Sequence, residues 1–172
     1  MDTPEHLLKA IGTVRAVLDE IEADTPYNEL LEVLRSNGLE AGRGNSAKSI
    51  AANLSLLAQV MNSSGPSRLE TLLERLPLIQ SVLMVSPHGW FAQEGVLGKP
   101  DTGGQVTYVL DQARAMEQYL RAQFLDCGLD ISPTVLILTR LIPAAEGTTC
   151  GTRREKVFGS QNVWIVRTPF RD

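Results

Sequence analysis

The sequence predicts an α/β protein, with a helical region over residues 1–78 followed by the start of a parallel-sheet domain over residues 79–172. Three observations carry this reading. Before Ser81, apolar residues recur at three- and four-residue spacing, with cap signals between the runs. From Ser81 onward the apolar stretches become short and continuous, the pattern of strands covered on both faces. Between the first such stretch and the next helix lies a loop rich in Gly and Pro, the kind of junction where α/β proteins bind ligands.

The helices follow in order. Thr3-Pro4 puts a cap residue before proline at the first helical position, and Leu7, Leu8, Ile11, Val14, Leu18 and Ile21 line one face behind it. Thr25-Pro26 repeats the device ahead of Leu30, Leu31, Val33 and Leu34, and Asn37-Gly38 stops that helix. A third helix begins after Asn45 and buries Ile50, Leu54, Leu57 and Val60. Ser67-Arg-Leu-Glu70 has capping-box spacing and starts a short fourth helix that ends near Pro77. None of these segments carries a constellation of catalytic side chains. His6 reads as an exposed structural residue, and Asp19, Glu20, Glu22 and Asp24 as a solvated face, with docking to another part of a larger assembly as the alternative.

The strands are Ser81–Val85, Thr134–Thr139 and Val163–Arg167. The helix from Gln105 to about Phe124, with Val106, Val109, Leu110, Ala113, Met116 and Leu120 at helical spacing, is the crossover between the first two. At its start, Asp101-Thr-Gly-Gly104 supplies a cap residue and two glycines. The N–H groups of a first helical turn are unpaired and lie at the positive end of the dipole, so a phosphate fits there, and glycine lets it approach closely. A Gly-Gly pair also serves turn geometry alone.

Composition narrows the function. The acidic excess lies in the first eighty residues, with eleven Asp/Glu against seven Lys/Arg, and the remainder balances at nine of each. No basic stripe with interleaved aromatics is present, which argues against a nucleic-acid partner. No apolar stretch approaches the ~20 residues of a membrane span, and no basic flank with an apolar core opens the chain, so a cytoplasmic location is expected. Cys127 and Cys150 lack metal-ligand spacing and read as ordinary thiols, and no metal site is expected.

The strings Ser86-Pro-His-Gly-Trp-Phe-Ala-Gln93, Val96-Leu-Gly98 and Pro100-Asp-Thr-Gly-Gly-Gln105 together resemble the sucrose synthase family closely. The resemblance continues through Leu136-Ile-Leu-Thr-Arg-Leu-Ile-Pro143, Gly147-Thr-Thr-Cys-Gly151, Arg154-Glu-Lys-Val157 and Arg167-Thr-Pro-Phe-Arg171. It is weaker upstream, in Ala23-Asp-Thr-Pro-Tyr27 and Gly38-Leu-Glu-Ala-Gly-Arg-Gly44. It implies a GT-B fold, whose first Rossmann-like domain begins here behind a helical region that contributes to oligomer contacts, a tetramer in the family. It also implies reversible, retaining transfer of glucose between UDP and fructose, making or cleaving sucrose, with no cofactor and with UDP, UDP-glucose or possibly ADP as substrate.

By the same resemblance, Gly103 and Gly104 bring backbone N–H groups to the UDP diphosphate and the transferring glucose, while His88 and Gln105 line the hexose acceptor site. The alternatives are a loop histidine bonding backbone carbonyls and a glutamine that only braces the loop. Asp101 and Thr102 are assigned to capping and loop geometry. Arg153, Arg154 and Lys156 read as a basic cluster, solvated or in intersubunit ion pairs rather than at phosphate. No catalytic residue is placed on this chain, since the family's UDP clamp and later catalytic histidine fall beyond Asp172. The expectation is therefore an N-terminal portion, inactive alone. Rival readings are a sucrose-phosphate synthase-like enzyme and a non-catalytic assembly module whose unpaired sheet edge needs a partner.

Overall fold

The computed structural model describes residues 3–40, 43–63, 65–100, 102 and 104–169. By contact the chain divides into two units, Met1–Leu78 with Gln123–Ile131, and Ile79–Ala122 with Ser132–Asp172.

In the first unit, α1 spans Pro4–Asp19, α2 Tyr27–Ser36, α3 Ala47–Asn62 and α4 Pro66–Glu74. Thr3 caps α1 as its signal predicts, its Oγ1 accepting from the His6 amide at 3.3 Å. Ile11, Val14 and Leu18 from α1, Leu30 and Leu34 from α2, and Ile50 and Leu54 from α3 make one apolar core. Full burial of such side chains contributes roughly 1.5–3 kcal/mol each. Gly38, at φ +71, ends α2 by turning the chain so that the Leu39 amide donates back to the Leu34 carbonyl at 2.9 Å.

Two helix starts differ from the sequence reading. Pro26 is the cap of α2 rather than its first residue, because it lies in extended backbone bridged to Ser46. The Tyr27 amide donates to the Asn45 carbonyl and the Ala47 amide to the Thr25 carbonyl, both at 2.9 Å, and this pairing keeps Pro26 out of the helix. In α4 the cap is Gly65 with Pro66 behind it, so Ser67 and Glu70 lie inside the helix and form no capping box. The capping box forms in α3, between Ser46 and Ser49.

The second unit is a four-stranded sheet of β1 (Ser81–Ser86), β2 (Thr134–Arg140), β3 (Arg154–Lys156) and β4 (Val163–Thr168), in the order β1-β2-β4-β3. The three apolar strands are parallel, with Leu83 opposite Leu136 and Leu136 opposite Trp164. The crossover helix, α5, spans Gln105–Asp126. Its Val106, Leu110 and Ala113 share a buried core with Val135, Ile137, Val163 and Ile165.

Two expectations for this unit need correction. The basic segment at Arg154–Lys156 is a strand, antiparallel to β4, and Arg154 stacks over the Trp164 ring at 3.9 Å. It pairs with β4 and leaves β1 as the other edge of the sheet. The sheet is not covered on both faces, since Leu83 and Val85 of β1 are 57% and 60% exposed. By contact, residues 123–131 group with residues 1–78. The Gly44 amide donates to the Cys127 carbonyl at 3.1 Å and Asn45 Nδ2 lies 3.4 Å from Asp126 Oδ1, tying the end of α5 to that unit.

Candidate functional site

The loop from Pro87 to Gly104 leaves the carboxyl end of β1 and enters α5, the edge of a parallel sheet where ligands bind. It is held at several points along its length. Phe91, Ala92 and Val96 are buried in the core of the unit. The Trp90 amide donates to Thr102 Oγ1 at 3.0 Å, so the loop is closed on itself by the residue assigned to loop geometry. Asp101 and Gly103 lie outside the described residues.

The remaining sequence-predicted residues all lie on this loop or at its exit. His88 is exposed. Gln105 is exposed, and its Nε2 lies 3.4 Å from Ser86 Oγ, a long bond between the end of β1 and the start of α5. Gly104 is exposed, and a Cβ built on it would meet nothing within 4 Å. Packing does not demand glycine there; its absent side chain leaves open space beside the first turn of α5. A cavity of about 200 Å³ lies between loop and helix, lined by Ala92, Val96, Leu97, Val106, Thr107 and Leu110, and neither His88 nor Gln105 lines it.

Sequence reasoning missed the groups that fasten the loop. Arg167, on the buried face of β4, donates from Nη2 and Nε to the Phe91 carbonyl at 2.9 and 3.3 Å, and from Nη1 to the Thr152 carbonyl at 2.8 Å. Its Nη2 also pairs with Glu155 Oε2 at 2.6 Å, with the two side chains 0% and 13% exposed. Gln93 Nε2 donates to Glu155 Oε1 at 2.6 Å and to the Lys156 carbonyl at 3.0 Å. Thr149 Oγ1 donates to Glu155 Oε2 at 2.7 Å, which gives the Gly147–Gly151 segment a place in the same network. Burial pushes the Glu155 carboxyl up, but the bonds from Gln93, Thr149 and Arg167, together with the Arg167 charge, outweigh it and hold the group below its ordinary value. One signal was available: Val163, Ile165 and Arg167 alternate, which puts the arginine on the inward face.

Among the described residues no cluster of His, Cys, Asp and Glu is arranged to hold a metal, and no helix is long and apolar enough to cross a membrane. Cys127 and Cys150 are free thiols, and burial, followed by the Asp126 charge, pushes the Cys127 thiol up.

Parallel strands joined through a crossover helix, with the Gly- and Pro-rich loop at the strands' carboxyl ends, define a Rossmann-like α/β domain. Residues 67–172 match the family model of the sucrose synthase first GT-B domain. The chain belongs to the sucrose synthase family, whose members are glycosyltransferases. It is 45% identical over 168 residues to a sucrose synthase of Melioribacter roseus, covering 98% of this chain and 21% of that protein. It is 48% identical over 154 residues to one of Acidithiobacillus caldus and 49% over 154 residues to sucrose synthase 2 of Zea mays, each match covering 90% of this chain and 19% of the relative. The chain thus spans about a fifth of the length of the curated relatives it matches. These matches do not favour the assembly-module or sucrose-phosphate synthase readings.

Proposed function

We propose that this chain supplies the acceptor-side loop of a UDP-glucose:fructose glucosyltransferase, which transfers glucose reversibly between UDP and fructose with retention at the anomeric carbon. The observation that carries the reading is Gly104, a position where a Cβ would meet open space, at the start of a helix whose first N–H groups have no partner in the helix itself. An anionic diphosphate fits such a terminus, and donors fixed before the reaction stabilise the charge that develops on the leaving group. Gly103 and Gly104 are assigned to the diphosphate and the transferring glucose. His88 and Gln105 bind the hydroxyls of fructose or of the fructosyl half of sucrose, as imidazole and amide can both donate and accept. UDP, or ADP in its place, is a substrate, and the reaction uses no metal or cofactor. The whole protein works in the cytoplasm as a homo-oligomer. Turnover belongs to that whole protein, and the catalytic groups are not assigned to these residues.

Calorimetric titration of UDP and then fructose into this chain, and into the natural reading frame that contains it, tests the reading, with sucrose cleavage assayed in parallel. UDP-dependent cleavage by the natural protein, impaired by His88→Ala, is the expected result. Cleavage unaffected by substitutions at 88, 104 and 105 would remove the site assignment, and no cleavage at all would remove the function.

A further inference from the structure

A buried guanidinium is a costly way to fill the end of a strand, and Arg167 has no solvent exposure at all in its side chain. What a guanidinium supplies in return is direction, because its donors form a rigid planar fork. Here the fork reaches three separate segments: Phe91 in the loop after β1, Thr152 in the connection after β2, and Glu155 on β3. Arg167 lies opposite Thr139 in register, and Thr139 lies opposite Ser86, the last residue before the loop. The fork therefore acts in the terminal layer of the sheet, where the loop begins. Glu155 extends the hold through Gln93, whose Oε1 also accepts from the Phe158 amide at 2.5 Å.

We propose that Arg167 and Glu155 are positioning residues for the ligand loop: the pair grips the Phe91 carbonyl and the Gln93 amide and so sets where His88, three residues before Phe91, presents its imidazole. The proposal rests on the reading of this loop as the sugar acceptor site. Neither residue touches the sugar. Their action runs through the main chain at residue 91 and the side chain at residue 93, while the apolar core beneath the loop is built by other residues.

The test uses Glu155→Gln, which keeps the shape and loses the charge, and Arg167→Lys, which keeps the charge and loses the fork. Val14→Ala, in the core of the helical unit, is the control for a general loss of stability. Amide hydrogen exchange on the full chain should speed up at residues 91–96 by roughly tenfold or more in both loop variants, and not in the control. In the natural protein, kcat/KM for the sugar should fall by on the order of 10²-fold, carried mainly by KM, with the KM for UDP nearly unchanged. Exchange at 91–96 remaining at the wild-type rate in both variants overturns the proposal. So does a sugar KM that moves no further than in Val14→Ala. A wild-type protein without UDP-dependent cleavage overturns the functional reading and the positioning role with it, and the exchange data then still say whether the clamp exists, so the two failures are told apart.

Discussion

Glu155 Oε2 and Arg167 Nη2 stand 2.6 Å apart with the arginine wholly shielded from water, so the carboxylate is the buried cation's counter-charge. Because the folded carboxyl is held below its ordinary value, its contribution to stability is present above the ordinary carboxylate range and is lost as pH falls through the folded value. Urea midpoints measured against pH should fall more steeply on the acid side for the wild type than for Glu155→Gln, which is less stable at neutral pH and flatter in acid.

Removing the partner outright costs more than neutralising it. Glu155→Ala leaves Arg167 without its counter-charge and should lower the unfolding free energy of the sheet unit by roughly 3–5 kcal/mol, read by denaturant titration with the fluorescence of Trp90 and Trp164 as the probe.

Glu117 is a buried carboxylate on α5, and it accepts from the Gln161 amide at 3.0 Å and from the Asn162 amide. These bonds, with that from Arg114 Nε to the Phe158 carbonyl at 2.8 Å, fix the turn between β3 and β4. Glu117→Ala leaves two amides unpaired, at about 1–3 kcal/mol each at most, and should be seen as faster exchange at 161 and 162.

Gly95 and Gly98 both have positive φ, but only at Gly95 would a Cβ collide with backbone, 2.5 Å from the Gly147 carbonyl oxygen. Gly98→Ala should cost about 1–2 kcal/mol for its left-handed backbone, and Gly95→Ala clearly more, because the 145–150 segment must also shift. Thermal unfolding of the two variants compares them directly.

Gly104→Ala separates fold from site. The new methyl meets open space, so stability should change by less than about 1 kcal/mol. Calorimetric affinity of the natural protein for UDP should nevertheless fall by roughly tenfold or more, since the methyl occupies the space proposed for the diphosphate.

Legibility in the sequence followed the range of the interactions. Ile11, Val14 and Leu18 repeat along one helix and were readable, as were the apolar runs of β1, β2 and β4, because each pattern is local. β3 was not readable: it is three residues long, all of them charged, and exists because β4 pairs with it. Pro26 was misread because a bridge to Ser46 decides its backbone. The loop could be located from its glycines and its motif, but not the bonds that fasten it. Arg167 and Phe91 are separated by 76 residues, and Gln93 and Glu155 by 62, so no local pattern joins them. Glu117 was nevertheless signalled, since it shares the inward stripe of Leu110, Ala113 and Leu120.

Arg167 holds Phe91 and Thr152 by their carbonyl oxygens, not by their side chains. A grip on the main chain is indifferent to what the neighbouring exposed positions display. For redesign, this separates the loop into a frame and a set of replaceable fittings: residues 88, 94 and 97, all exposed, can be exchanged while 91, 93, 155 and 167 keep the frame in register.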